Sequence, residues 1–242
     1  MSKRLFDLVA SIFGLVAFSP ILLPAIVAVW LQDFRSPFYV ASRVGKGGKP
    51  FRMVKLRSMV MGADASGVDS TADDDGRITF LGRWVRRFKL DEATQFWNVL
   101  KGDMSVVGPR PNVEREVALY TAEEHGLLNV RPGITDLSSI VFADEGDVLA
   151  GSEDPDLRYN QVIRPWKSRL GLLYVERASL FLDLRIIFLT AVAILSRNAA
   201  LGGVCSILRQ LNADPALLEV STRKNALTPH PPPGTSKIVR GR

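Results

Sequence analysis

Residues 89–111 read KLDEATQFWNVLKGDMSVVGPRP and set two adjacent carboxylates, Asp91 and Glu92, just behind the cations Arg83, Arg86, Arg87 and Lys89. Arg110 closes the stretch between two prolines, and a second Arg-Pro-Gly turn follows at Arg131. The acid pair has two open readings. Carboxylates are favoured in the first turn of a helix, where backbone N–H groups and the helix dipole stabilise negative charge. The same placement suits catalysis: it would keep Asp91 ionised and nucleophilic, with Glu92 holding Mg²⁺ or taking a proton. Phosphoryl chemistry needs cations around the transferred group, because positioning and charge stabilisation supply most of the rate. Arg86, Arg110 and Arg131 meet that need, since a guanidinium fork binds phosphate oxygens in pairs.

The elements that must carry these residues begin upstream. Phe38 to Met61 reads as two β-favouring runs around a turn marked by Gly45, Gly47 and Gly48. Alternation along the second run puts Lys55 and Arg57 on one face, available to an anion. Ala63–Gly76 is small and acidic and reads as a loop; it lacks the closing glutamate of an EF-hand, which excludes that calcium site. Ile78–Phe88 predicts a helix with a basic side. Leu90–Leu100 predicts a second short helix, stopped at Lys101-Gly102. MSVVGPRP predicts a buried strand running into a rigid turn, and EREVALYTAEEHG a charged helix ending at Gly126.

The N-terminal run Leu5–Leu31 is long enough to cross a bilayer, given the roughly 20 apolar residues a spanning helix needs. It lacks the small-x-small cleavage site of a signal peptide. Ser19-Pro20 and Pro24 interrupt it, and proline deletes a helical hydrogen bond. Lys3 and Arg4 precede the run, while Arg35, Arg43, Lys46 and Lys49 follow it, so positive charge flanks both ends. Residues alone leave a re-entrant helix–break–helix and a kinked span both open. Asp7 inside this run needs a partner; Arg4, one turn earlier, is the local candidate. Gly171–Arg197 is also apolar but broken by Asp183 and Arg185, which suits either a core helix or one at a membrane surface. Beyond Leu218 apolar content falls, and TPHPPPGTSKIVRGR, residues 228–242, reads as a disordered basic tail.

The 242-residue chain is 47% hydrophobic with a net charge of +6, which implies an anionic partner: a membrane surface, nucleic acid or a phosphorylated substrate. One cysteine, Cys205, excludes an internal disulfide framework, and two isolated histidines exclude a zinc-site pattern. Basic residues are not interleaved with aromatics, so nucleic acid is not the expected partner. Two function classes remain: an enzyme of phosphate chemistry, and a non-catalytic membrane adaptor that binds anionic lipid. An adaptor has no use for Asp91.

The chain resembles the small monotopic phosphoglycosyl transferases of the bacterial sugar transferase family from about Lys3 to Arg197. The motifs carrying the resemblance are KRLFD, FSP, KLRSM, LDE, NVLKGDMSVVGPRP, RPGIT and YVERASLFLDLRIIFLT. The resemblance implies an α+β, mostly helical monotopic membrane protein with a small β-hairpin and interfacial amphipathic helices. Its first part, residues 1–36, would be a re-entrant helix broken at Ser19 and Pro20, with Lys3, Arg4 and Asp7 in its entry. Residues 37–200 would be the catalytic domain, and 201–242 a C-terminal extension. It implies Asp91 attacking the β-phosphate of a UDP-sugar, with Glu92 beside it, Mg²⁺ required, and phosphate-handling arginines at Arg86, Arg110 and Arg131. UMP would leave, and polyprenyl phosphate would take the phosphosugar. Such an enzyme would work at the cytoplasmic face of a bacterial inner membrane and hand its product to downstream glycosyltransferases. Without the transmembrane bundle of larger members, the chain is expected to be a minimal catalytic unit. Two positions depart from the pattern. Asp136-Leu137 follows RPGIT where Gly-Trp is usual, and Ala93-Thr94-Gln95 follows LDE where Leu-Pro-Gln is usual, so sugar preference does not carry over.

Overall fold

A computed structural model describes residues 2–63 and 75–241. Most of the acidic segment read as a loop, residues 64–74, lies outside the described residues. Helices dominate and the sheets are two-stranded, an α+β arrangement. The first helix, α1 (Ser2–Leu31), is the one helix among the described residues long and apolar enough to cross a membrane. Helical structure continues through Pro20 and Pro24, so the expected break at Ser19-Pro20 is not a gap in the helix. Ser19 Oγ instead donates to Val16 O at 2.7 Å, a local bond of the kind that bends helices without ending them.

One stripe of α1 is buried: Asp7, Ser11, Gly14, Leu22 and Val29, spaced by 4, 3, 8 and 7 residues, which keeps them on one helical face. It rests on the body along its whole length. Asp7 Oδ1 accepts from Ser105 Oγ (2.9 Å) and Val106 N (3.0 Å). Arg4, the partner expected for Asp7, donates to the carbonyls of Val99 and Leu100 instead. A Cβ on Gly14 would sit 2.7 Å from the Phe96 ring, so glycine is what lets helix and body approach there. At the far end Leu22 and Val29 pack with Leu56, Val85, Leu90 and Ala93. The outward side of α1 stays apolar and exposed, including Leu5, Val9, Phe13, Val16, Leu23 and Val27.

The hairpin forms as its glycines predict. Strand β1 (Phe38–Val44) pairs antiparallel with β2 (Pro50–Leu56), from Phe38 opposite Leu56 to Val44 opposite Pro50. Gly47 and Gly48 take the positive φ the turn requires (68° and 74°). Helix α2 (Phe80–Arg87) starts on Thr79, whose side chain accepts from Gly82 N. The single helix expected from Leu90 to Leu100 is two pieces, α3 (Leu90–Ala93) and α4 (Phe96–Lys101), joined by Thr94 and Gln95. Strand β3 (Ser105–Val107) pairs parallel with β4 (Gly133–Thr135), and their continuation brings the Gly108 and Gly133 backbones too close for any side chain.

The charged segment after Pro111 is not one helix. It forms α5 (Glu114–Val117) and a separate 3₁₀ turn, Glu124–Asn129. A buried network overrides its propensity: Arg164 binds Glu124 through Nε (3.0 Å) and also reaches Leu119 O. Short helices α6 (Leu137–Val141), α7 (Glu145–Leu149) and α8 (Pro155–Arg158) lead through a π turn, Tyr159–Ile163, into α9 (Arg164–Arg177). Helix α10 (Leu180–Leu195) packs one face on the core, as one of the two readings expects, and leaves apolar side chains on its other face exposed. Leu182, Ile186 and Leu189 face the main core, while Phe181, Leu184 and Phe188 are exposed.

Helices α11 (Arg197–Gln210) and α12 (Pro215–Ser221) extend that core, contributing Leu201, Val204, Ile207, Leu208 and Leu217. The residues that follow, expected to be a disordered tail, have no helix or strand but lie against the body. His230 N donates to Gln161 O (2.9 Å), and the His230 ring stacks on Trp166 with centroids 4.2 Å apart. Backbone hydrogen bonds and stacking replace the apolar content that composition found wanting.

Candidate active site

Lys89 takes a left-handed backbone (φ 52°) that a non-glycine residue adopts only at some cost. This turn separates α2 from α3 and presents Asp91 and Glu92 at the start of a four-residue helix. Both acids fall in the first turn of that helix, as one of the two readings expects, although a helix this short offers only a weak dipole. The Thr94 hydroxyl lies 3.0 Å from both Val54 O and Asp91 O, fastening α3 to β2. Asn98 does the same for α4: its Oδ1 accepts from Val54 N (2.9 Å) and its Nδ2 donates to Arg52 O (2.7 Å). Thr94 thus gives the departure after LDE a structural task.

The two carboxylates face different surroundings. Asp91 opens on a cavity of about 1030 Å³ that Lys55 and Arg86 also line, with Phe38, Val40 and Met61 on its apolar walls. Glu92 forms an ion pair with Arg110 at 3.0 Å. Arg110 is itself fixed by donation to Ile134 O (3.0 Å) and lines a second, more polar cavity of about 180 Å³. Lys55 and Arg43 border both cavities.

Burial pushes the Asp91 carboxyl above the ordinary aspartate range; Lys55, Arg110 and Arg86 oppose that rise and Glu92 adds to it. For Glu92, burial also raises, but the charges of Arg110, Lys89 and Lys55 outweigh it and hold the carboxyl below its usual value. Burial lowers Lys55, with Asp91 partly restoring it. The two neighbouring acids thus differ in their affinity for protons, Asp91 held above its ordinary range and Glu92 below.

The structure gathers Lys55, Arg86 and Arg110 around the pair, but two expected phosphate ligands are elsewhere engaged. Arg57 is buried and bonded to Asp33 at 2.5 and 2.6 Å and to Val29 O, so it anchors the end of α1 although it borders the large cavity. Arg131 is exposed, donates from Nε to Gly102 O (2.8 Å), and lines neither cavity. Sequence reading missed Tyr159, Lys167 and Glu145 of the small cavity, and passed over Arg43 as a flanking charge. A π turn at Tyr159 offers no sequence signal, and Lys167 and Glu145 meet only through folding. Asp136, the departure after RPGIT, caps α6 by accepting from Ser139 N (2.7 Å) and also binds Ser138 Oγ.

A family model described as bacterial sugar transferase matches residues 1–197. The chain belongs to that family. It is 38% identical over 193 residues to the uncharacterized sugar transferase EpsL of Bacillus subtilis, a match covering 80% of this chain and 87% of that protein. It is 32% identical over 201 residues to the UDP-N-acetylgalactosamine-undecaprenyl-phosphate N-acetylgalactosaminephosphotransferase of Aeromonas hydrophila, covering 80% of this chain and 44% of that protein. It is 35% identical over 216 residues to the undecaprenyl-phosphate galactose phosphotransferase of Salmonella typhimurium, covering 82% and 41%. The chain thus spans less than half the length of the latter two.

Proposed function

We propose that this protein transfers a sugar 1-phosphate from a UDP-sugar to polyprenyl phosphate, with Asp91 as the nucleophile. The observation that carries the proposal is the divided acid pair: Asp91 faces a cationic cavity while Arg110 holds Glu92. A carboxylate oxygen of Asp91 attacks the β-phosphorus of the donor. The bond from that phosphorus to the bridging oxygen breaks, and UMP leaves with the electron pair. An oxygen of polyprenyl phosphate then attacks the same phosphorus, the aspartyl–phosphorus bond breaks, and the Asp91 carboxylate is regenerated. Lys55, Arg86 and Arg110 neutralise the phosphoryl charge as it redistributes.

The donor set suits Mg²⁺ in one arrangement. Among the described residues no group of three or more acidic, histidine or cysteine side chains gathers. Mg²⁺ is commonly held by one or two carboxylates plus substrate phosphates, so Asp91 and Glu92 would hold an ion that also binds the diphosphate. When bound, it would supply further charge neutralisation.

A monotopic placement at the cytoplasmic face of a bacterial inner membrane accords with α1. Both of its ends are fastened to one body, at Lys3, Arg4 and Asp7 and again at Asp33, so a crossing would carry that body into the bilayer. Its exposed apolar side, with Phe80 and Trp84 on α2, Phe88 just after it, and Phe181 and Phe188 on α10, would meet lipid. Enzymes that lengthen the glycan would be the functional partners downstream. The Aeromonas and Salmonella relatives carry different sugars in their names, so the donor sugar stays open.

The test is release of UMP from a panel of UDP-sugars by purified protein with undecaprenyl phosphate and Mg²⁺. One donor should support turnover. Binding to anionic vesicles with no UMP from any donor would replace this reading with a membrane adaptor.

A further inference from the structure

The C-terminal extension starts where the family match ends, at residue 197, and bonds to residues next to the walls of the polar cavity. Asp144 takes an arginine from each end of the two extension helices. Arg197 Nη2 lies 2.7 Å from Oδ1, and Arg223 Nη2 donates to Oδ2 at 2.8 Å. The next residue, Glu145, lines the cavity and pairs with Lys167, also of the wall. Further along, Thr121 Oγ1 donates to Pro233 O (2.6 Å), one residue from the wall residue Tyr120. Arg169 donates to Pro231 O (3.0 Å), next to the wall residue Ser168. His230 N and Val239 O both bind Gln161, within the π turn that begins at the wall residue Tyr159. The extension therefore backs three separate pieces of one wall, and none of its own residues enters the cavity.

We propose that residues 197–239 brace this wall and that Asp144, as a positioning residue, thereby sets donor binding. The inference rests on the transfer reaction proposed above. The polar cavity suits the water-soluble end of the donor: Arg43, Lys55, Arg110 and Lys167 line it, and Arg43 and Lys55 also border the larger cavity on which Asp91 opens, so the diphosphate would lie where the two cavities meet. The larger cavity, with its apolar walls, suits the polyprenyl substrate. Release of Asp144 frees Glu145 and loosens its pairing with Lys167, which blurs the wall without touching Asp91.

A two-step transfer through a covalent intermediate makes this separable, because kcat/KM for each substrate reports its own half-reaction. Asp144→Asn and Arg223→Met should each lower kcat/KM for the UDP-sugar on the order of tenfold, as misplaced binding groups do. Both should leave kcat/KM for undecaprenyl phosphate within about twofold. Arg223→Lys, which keeps the charge, should recover much of the loss. A variant that merely folds less well would lower both quantities together, and that parallel loss overturns the inference. Wild-type turnover with unchanged variants overturns it too and leaves the transfer reaction standing. A wild-type protein that turns over no donor overturns both.

Discussion

Asp91 and Glu92 are chemically alike and one residue apart, and their environments make them different. Asp91→Asn should reduce UMP release by about 10⁴-fold or more, because the amide cannot attack phosphorus. The variant should keep its thermal unfolding midpoint and lose any trapped phosphosugar adduct. Retention of even a few per cent of turnover would move the nucleophile elsewhere. The pH dependence follows from the same environment. Asp91 must be ionised to attack, and burial raises its carboxyl, so the acid limb of kcat/KM for the donor should lie above the ordinary aspartate range. Lys55 and Arg86 oppose that rise, Lys55 more strongly. Removing either cation therefore moves the acid limb to higher pH, and Lys55→Met should move it further than Arg86→Met. A shift to lower pH, or the reverse ranking, would show that another group controls the limb.

Helix α1 is the element whose sequence left most open. Length and hydropathy permit a crossing, and the prolines argue for a break; the structure has neither a gap nor a free end. A stripe from Asp7 to Val29 packs on one body, and Arg57 closes the far end against Asp33. Single cysteines at Ser2 and Ser36, in a Cys205→Ala background, should both resist a membrane-impermeant thiol reagent applied from the periplasmic side. Labelling of either one would establish a crossing and sink the monotopic placement. Replacing Pro20 and Pro24 with leucine leaves about 27 uninterrupted apolar residues, ample for a span near 30 Å. The anchors at both ends should nonetheless hold the doubly substituted helix on the cytoplasmic side, so its labelling pattern should not change.

Across the whole molecule, charge pairs with at least one buried member join segments far apart in the chain. Lys3 binds Asp183 (2.6 Å), which also accepts from Tyr174, tying the first turn of α1 to α10. Arg164 meets Glu124 with both side chains almost wholly buried. Removing one member of such a pair leaves the other charge buried and uncompensated. Arg164→Met should therefore destabilise the fold by about 3–5 kcal/mol. That corresponds to roughly 10 °C in apparent unfolding midpoint for a chain of this size. Adding Glu124→Gln should recover part of the loss. An unchanged midpoint in the single variant would mean that water reaches the pair and that the network holds little of the fold.

Local signals in the chain were enough for the acid pair, the hairpin and the cationic company of Lys55, Arg86 and Arg110. Gly47 and Gly48 mark a turn because their backbones must, and alternation along β2 follows from strand geometry. Alternation also put Arg57 beside Lys55, but only the packing of α1 brought Asp33 within reach and turned Arg57 into an anchor. Arg131 shares its Pro-Gly setting with Arg110, yet a contact with Gly102 draws it away. Tyr159, Lys167 and Glu145 had no common motif; a π turn and an ion pair assemble them. The C-terminal residues read as disordered because composition counts apolar side chains and cannot count backbone bonds to a surface folded elsewhere. Turn chemistry, strand alternation and motif identity are local and legible. Which cation meets which anion, at sequence separations of 24 for Arg57–Asp33 and 180 for Lys3–Asp183, was decided by tertiary packing.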